Sequence, residues 1–379
     1  MMEQTYPLET AEPIVKHRIL SVDILRGFIM VLMALDHANM LLSGGSTGEF
    51  WHAEPPFFST SAAFWTRFTT HICAPGFFFL MGIGMVYFYQ SRLDDGWSSQ
   101  KINRIFMKRG LLIILIHFLL SFLFALPNIL QGQMRIVFDV LYILGMSMIA
   151  AAWFLNKPVR LTAAVALISL FIPELVLSRL NGFPAGMNLF FRIMAIPGPI
   201  GQSIIYYTFF PWFGLTIAGI IAGKGMQASR KKIFAALPLL SAATMALFVM
   251  LRAGGGFGNM QVNEHLSQAA FFQLTKYPAS LSFILFMLSI NLFLLFVIEH
   301  LPLYRLQQNA LLVFGRNPLF FYMLHYMVFI VMMLSGLNNL PLAVMFPFWI
   351  LGLLICYPCC RMYHTFKREK PADSIWRML

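Results

Sequence analysis

Four ionisable residues inside one apolar stretch, beyond its leading arginine, hold the chemical promise of this sequence. Arg18 to Leu42 reads RILSVDILRGFIMVLMALDHANMLL, and it carries Asp23, Arg26, Asp36 and His37. The stretch is long and apolar enough to cross a bilayer as a helix, where each of those four side chains is costly and therefore a functional candidate. At about 100° per residue, Asp23, Arg26, Met30, Met33 and His37 fall on one stripe. With ~1.5 Å rise per residue the stripe runs ~21 Å, from an ion pair at one surface to an imidazole near the other.

Further polar groups converge on the His37 end. Arg67 and His71 enter the next apolar stretch in RFTTHICAPGFFFLMG, Asp139 lies in the outer half of the stretch at 136–155, and LTKYPASL supplies Lys276 and Tyr277. Asp36 beside His37 is expected to raise the basicity of the imidazole. Carboxylate, imidazoles and cations together suit acyl transfer: a histidine takes the proton of an attacking amine or hydroxyl, and cations or amides hold the oxyanion. His117 and His325 sit deeper in their stretches and read as packed structural residues.

The other end of the stripe is basic. Lys101, Arg104 and Lys108 lead into RGLLIILIHFLL, which begins with Arg109, and Arg305 together with FGRNPLFFYMLHY, which contains Arg316 and Asn317, flanks the stretch at 310–334. With Arg26, such a rim suits the phosphates of a nucleotide-bearing donor. No glycine-rich P-loop or dinucleotide fingerprint follows a strand. Cys73, Cys356, Cys359 and Cys360 form neither a disulfide framework nor a metal-ligand spacing with a second Cys/His pair, so no metal is expected.

The elements that must position these groups are membrane helices. Of 379 residues, 59% are hydrophobic and only 11% charged, a composition that excludes a soluble domain. Apolar stretches fall at roughly 19–42, 69–90, 106–126, 136–155, 160–178, 204–223, 233–251, 279–299, 310–334 and 340–361, which predicts an all-α, polytopic bundle of about ten transmembrane helices. The net charge of +12 arises from cations clustered in alternate loops, so the positive-inside rule explains it and nucleic acid is not implied. Both termini are then cytoplasmic, and His37 is extracytoplasmic. The expected organisation is a cytoplasmic arm over 1–17, a transmembrane domain over 18–362 and a cytoplasmic tail over 363–379. No secretory signal peptide is expected, because charges interrupt the first apolar stretch. Glycine- and aromatic-rich segments at 43–68, 179–203 and 252–278 are long enough to build a binding site over the membrane.

SVDILRGFIMVLMALDH, THICAPGFFFLMG, PWFGLTIAGIIAGK, TKYPASLSFIL and FGRNPLFFYMLH together resemble the bacterial relatives of heparan-α-glucosaminide N-acetyltransferase, within the transmembrane acyltransferases. The resemblance implies a multi-helix enzyme of the cell membrane, a bacterial inner membrane foremost. It would take acetyl from cytosolic acetyl-CoA, with no tightly bound cofactor, and deliver it to an extracytoplasmic amino sugar or glycan. A homodimer is compatible with it. Lysosomal members carry a polar residue where span 1 ends, matched here by His37, and a histidine in the loop before span 2, matched by His52. Where His71 stands they carry Asp. The catalytic role is thus open among His37, His71 and His52, with His37 first. A transporter or flippase for a small anionic metabolite or lipid-linked sugar fits the same buried polar residues, but it needs no acyl-CoA site and favours internal repeats, which are not visible.

Overall fold

Helix α1, Leu20–Leu42, carries Asp23 in its first turn and ends at Ser43, whose amide bonds the Asn39 carbonyl; Gly44, at φ +65°, then reverses the chain. An acid at the positive end of a helix is favourable, and the left-handed turn costs glycine nothing. In the computed structural model the described residues are 19–45, 48–51, 58, 60–129, 136–180, 186–260, 271–301, 309–371 and 373–378, without side chains from 124 to 129. His52 lies outside them.

Helices α2, Ser61–Thr70, and α3, Cys73–Asp94, replace the single stretch expected over 69–90. The break falls at His71 and Ile72, where Asn291 donates from Nδ2 to the Ile72 carbonyl at 3.3 Å. Helix α4, Ser99–Ile129, follows, then strand β1, Val137–Phe138, and helix α5, Val140–Ala152, which Asp139 caps by accepting from the Leu141 amide at 3.1 Å. Such a cap satisfies one of the amides that a helix start leaves unpaired. Helices α6, Val159–Leu177, and α7, Leu189–Ala195, precede strands β2, Gly198–Ile200, and β3, Ser203–Ile205. The three strands form one small sheet, β1 parallel and β2 antiparallel to the central β3, which sets Asp139 beside Tyr207.

Helix α8, Phe209–Gly254, is interrupted at Ser229 (φ −158°, ψ 93°). Unbroken, its 46 residues would span ~69 Å, more than twice a bilayer's hydrocarbon thickness. Helix α9 is Leu281–His300. Helices α10, Ala310–Arg316, and α11, Pro318–Leu334, meet at a bend of 105° on Asn317, with Pro318 at the helix start where its missing amide costs nothing. Helix α12, Leu342–Arg368, closes the bundle, and a 3-10 turn at Ile375–Arg377 folds back on it.

This is a polytopic all-α membrane protein. Seven described helices are long and apolar enough to cross a membrane, and the bent pair α10–α11 makes an eighth. The stretch expected over 136–155 is a 13-residue helix, which covers only ~20 Å. Leu111, Leu115 and Leu119 are exposed at four-residue spacing along α4, the apolar outer face that lipid rather than water solvates. At the centre, α10 crosses α1 backbone to backbone. A Cβ on Gly27 would meet the Leu311 carbonyl oxygen at 1.7 Å, and one on Gly315 the Asp23 carbonyl oxygen at 1.8 Å.

Candidate active site

The turn after α1 and the segment before α9 bring an ionic cluster together. The Lys276 and Tyr277 amides donate to the Glu49 carbonyl at 2.9 and 3.1 Å, and the Trp51 amide donates to the Tyr277 carbonyl at 2.9 Å. This short parallel pairing delivers the Glu49 carboxylate to Arg67 of α2. Arg67 donates from Nε to Glu49 Oε1 at 2.7 Å, from Nη1 to both oxygens of Asp36 at 2.6 and 2.7 Å, and from Nη2 to the Tyr277 hydroxyl at 2.9 Å. Thr70 donates from Oγ1 to Asp36 at 2.9 Å, and His71 Nε2 lies 2.9 Å from Glu49 Oε1. The carboxylate accepts, so Nε2 carries a hydrogen; His71 Nδ1 is buried without a partner among the described residues.

Two loop groups in this cluster have displaced titrations. Burial alone would raise Glu49, but the Arg67 charge and the His71 hydrogen bond hold it well below the usual carboxylate range. Burial, reinforced by the Arg67 charge, pushes Lys276 down to about 8, against the opposing pull of Asp36 and Glu49.

His37, one residue beyond Asp36, belongs to a different set of contacts. Its Nδ1 lies 2.7 Å from Nε2 of His325 on α11, and its ring packs on Tyr326 (centres 4.2 Å apart) and, edge-on, on Tyr322 (5.7 Å). Tyr322 also lines a cavity of about 450 Å³. From that ring the cavity runs past Met33, Met30, Leu141 and Met148 to a mouth lined by Arg26, Arg92, Arg109, Arg316, Lys367 and Arg377, with Asp23 among them. Arg26 donates from Nη1 to Asp23 at 3.1 Å and to the Gly315 carbonyl at 3.2 Å. Nε of Arg109 is buried with no partner among the described residues. Lys367 donates to the Arg316 carbonyl at 2.7 Å, and Arg377 returns to the Lys367 and Arg368 carbonyls at 3.1 and 2.6 Å. Six cations with one carboxylate make a mouth for a polyanion, and the apolar walls behind it suit a flexible acyl-bearing arm.

The sequence-derived candidates divide accordingly. Arg26, Arg109 and Arg316 line the cavity, whereas Arg104 and Lys108 are exposed on α4 and do not. Those two are four residues apart and share a helix face; Arg109 lies ~100° round, in phase with buried Phe106 and Ile113. Asn317 is fully buried, does not line the cavity and donates to the Val313 and Cys360 carbonyls at 2.7 and 3.3 Å, which fixes the α10–α11 bend. Asp36 spends its carboxylate on Arg67 and Thr70 rather than on His37. Arg67, Lys276, Tyr277 and His71 gather around Glu49 and Asp36. Asp139 Oδ1 lies 3.0 Å from His117 Nδ1. Glu49, His325, Arg92, Lys367 and Arg377 are additions that the structure makes. Only His325 had a periodic signal, since Tyr322, His325 and Tyr326 recur at i, i+3 and i+4.

One comparison bears on identity. The family model described as heparan-alpha-glucosaminide N-acetyltransferase, catalytic, matches residues 18–253. No curated protein matches the sequence.

Proposed function

The chain belongs to the heparan-alpha-glucosaminide N-acetyltransferase family, and from that premise we propose that it takes acetyl from cytosolic acetyl-CoA and transfers it to an extracytoplasmic amino sugar or glycan. In this reading the bundle has ten spans, with the interrupted α8 counted twice and the short α5 once, and both termini face the cytoplasm of a cell-membrane enzyme. The carrying observation is the cavity itself, which joins a mouth of six cations to Tyr322, the ring that touches His37.

The donor's phosphates would lie among Arg26, Arg109, Arg316 and their neighbours, and its pantetheine arm along the methionine-lined wall. The thioester would then reach Tyr322 and His37. His37 acts as the base: it accepts the acceptor's proton as nitrogen or oxygen bonds to the acyl carbon, and returns that proton to the departing thiolate. Arg67, Asp139, Lys276 and Tyr277 are the candidates for holding the acceptor, and Lys276 has a cation to offer the developing oxyanion. His71 is the second candidate for the base, and the part of His52 is decided by its own substitution.

Acetyl-CoA should raise the unfolding temperature of the purified protein in detergent, and radiolabelled acetyl should pass to glucosamine or an amino-sugar glycan. Absence of both effects would reject the reading. Stabilisation by an anionic metabolite or lipid-linked sugar with none by acetyl-CoA would favour a transporter.

A further inference from the structure

We propose that His325 is a positioning residue: it holds His37 in the tautomer with hydrogen on Nδ1, so that the Nε2 lone pair faces the acceptor. The inference rests on the acyltransferase reading and gives a role to a histidine buried inside α11.

The hydrogen positions follow from a chain of three groups. His325 Nδ1 lies 2.7 Å from the Phe321 carbonyl oxygen. A carbonyl only accepts, so Nδ1 bears the hydrogen, and Nε2 of a neutral His325 must itself accept. The atom 2.7 Å from that Nε2 is His37 Nδ1, which therefore donates. His37 Nε2 is left with its lone pair, and no described residue bonds to it.

The geometry favours this bond over a stacking contact. The rings lie 13° from parallel with centres 5.0 Å apart. Two ring nitrogens can approach to 2.7 Å across such a separation only if they lie near the line joining the centres, in nearly a common plane. That is the direction of an imidazole lone pair. His325 is fully buried and His37 almost so, so water does not compete for the bond, and a hydrogen bond in low dielectric is strengthened.

In a serine-protease triad a carboxylate orients the histidine. Here the adjacent carboxylate, Asp36, is committed to Arg67 and Thr70. A neutral imidazole does the orienting instead, without placing another charge inside a helix bundle where charge is costly. During transfer the acceptor's N–H or O–H proton moves to His37 Nε2 as its heavy atom bonds to the thioester carbon. The C–S bond breaks, the CoA thiolate recovers that proton, and His37 keeps its Nδ1 hydrogen throughout.

The test is ¹⁵N NMR of the full-length protein labelled at histidine, with His37 assigned by its loss in His37→Asn. The expected result is a protonated Nδ1 and an unprotonated Nε2 on His37. A His37 ring protonated on Nε2 would overturn the proposal. This readout needs no turnover, so it decides the pairing separately from the acyltransferase reading, which fails if the wild-type protein neither binds acetyl-CoA nor transfers acetyl. Two variants add a kinetic check. His325→Phe keeps a ring but no acceptor, and kcat should fall by about 100-fold or more with the KM for acetyl-CoA within about twofold. His325→Gln can place its side-chain oxygen where Nε2 was and should recover to within about tenfold of wild type. Equal loss in both variants, with acetyl-CoA still raising the unfolding temperature, would also refute the positioning role.

Discussion

Gly315 lies so close to Asp23 that a Cβ on the glycine would stand 1.8 Å from the Asp23 carbonyl oxygen. This contact sets α10 against α1 and brings the next residue, Arg316, to the cavity mouth beside Arg26. Gly315→Ala must therefore push two backbones apart. It should lower stability by at least the ~1–3 kcal/mol typical of overpacking and weaken acetyl-CoA binding as well. Thermal unfolding in detergent with and without acetyl-CoA measures both effects; an unchanged midpoint with unchanged donor stabilisation would mean that this crossing does not shape the mouth.

The second expectation concerns the donor's phosphates. Arg109→Ala should raise the KM for acetyl-CoA by the ~1.5–3 kcal/mol of a charge-assisted hydrogen bond, roughly 10- to 150-fold, with little change in kcat. Arg104→Ala and Lys108→Ala, exposed and outside the cavity lining, act only through a longer-range, salt-screened field and should move it much less. Equal effects from all three would return Arg109 to a general electrostatic role.

Glu49 and Arg67 are the third case. Glu49 is almost fully buried, and its carboxylate serves both Arg67 and His71. Glu49→Gln leaves a buried guanidinium with one fewer counter-charge, and breaking such a pair typically costs ~3–5 kcal/mol. Because the folded protein holds Glu49 well below its ordinary range, its contribution is present above the unfolded-state value and is lost as pH falls towards the folded one. The acid-side decline in unfolding temperature should therefore be shallower in Glu49→Gln. An identical acid limb in both proteins would rule out Glu49 as its source.

Lys276 has the opposite sign. Its folded value is lowered to about 8, so between there and the ordinary lysine range the unfolded chain binds the extra proton. Over that window this group adds stability as pH rises. Its charge, however, is lost. If the ammonium holds the developing oxyanion, kcat declines above about pH 8, and Lys276→Arg should extend the plateau upwards, since arginine keeps its charge. The same alkaline limb in wild type and Lys276→Arg would remove Lys276 from that role.

How far these features could be read from the sequence depends on how local they are. The polar stripe of α1 was legible because helical periodicity places Asp23, Arg26, Met30, Met33 and His37 in register, and all but His37 line the cavity. The same periodicity, applied to α4, separates Arg109 from Arg104 and Lys108. The partner of His37 was not legible, because 288 positions separate it from His325 and a histidine within an apolar run has the look of packing. Glu49 was hidden for another reason: it lies in a glycine-rich turn with no period, and its place is fixed by backbone pairing with Lys276 and Tyr277. The break at Ser229 was legible, because the basic segment GKGMQASRKK divides the stretches at 204–223 and 233–251, whereas the break at His71 was not, since the stretch expected over 69–90 runs across it.

The central claim is transfer of acetyl from one face of the membrane to the other through His37. It is tested most directly in sealed proteoliposomes of one protein orientation, with radiolabelled acetyl-CoA supplied only at the basic face and glucosamine only at the opposite face. The account predicts labelled N-acetylglucosamine in the glucosamine compartment. In His37→Ala the product should disappear while acetyl-CoA still raises the unfolding temperature. Product that forms only when both substrates share one compartment, or that persists in His37→Ala and vanishes in His52→Ala, would contradict it.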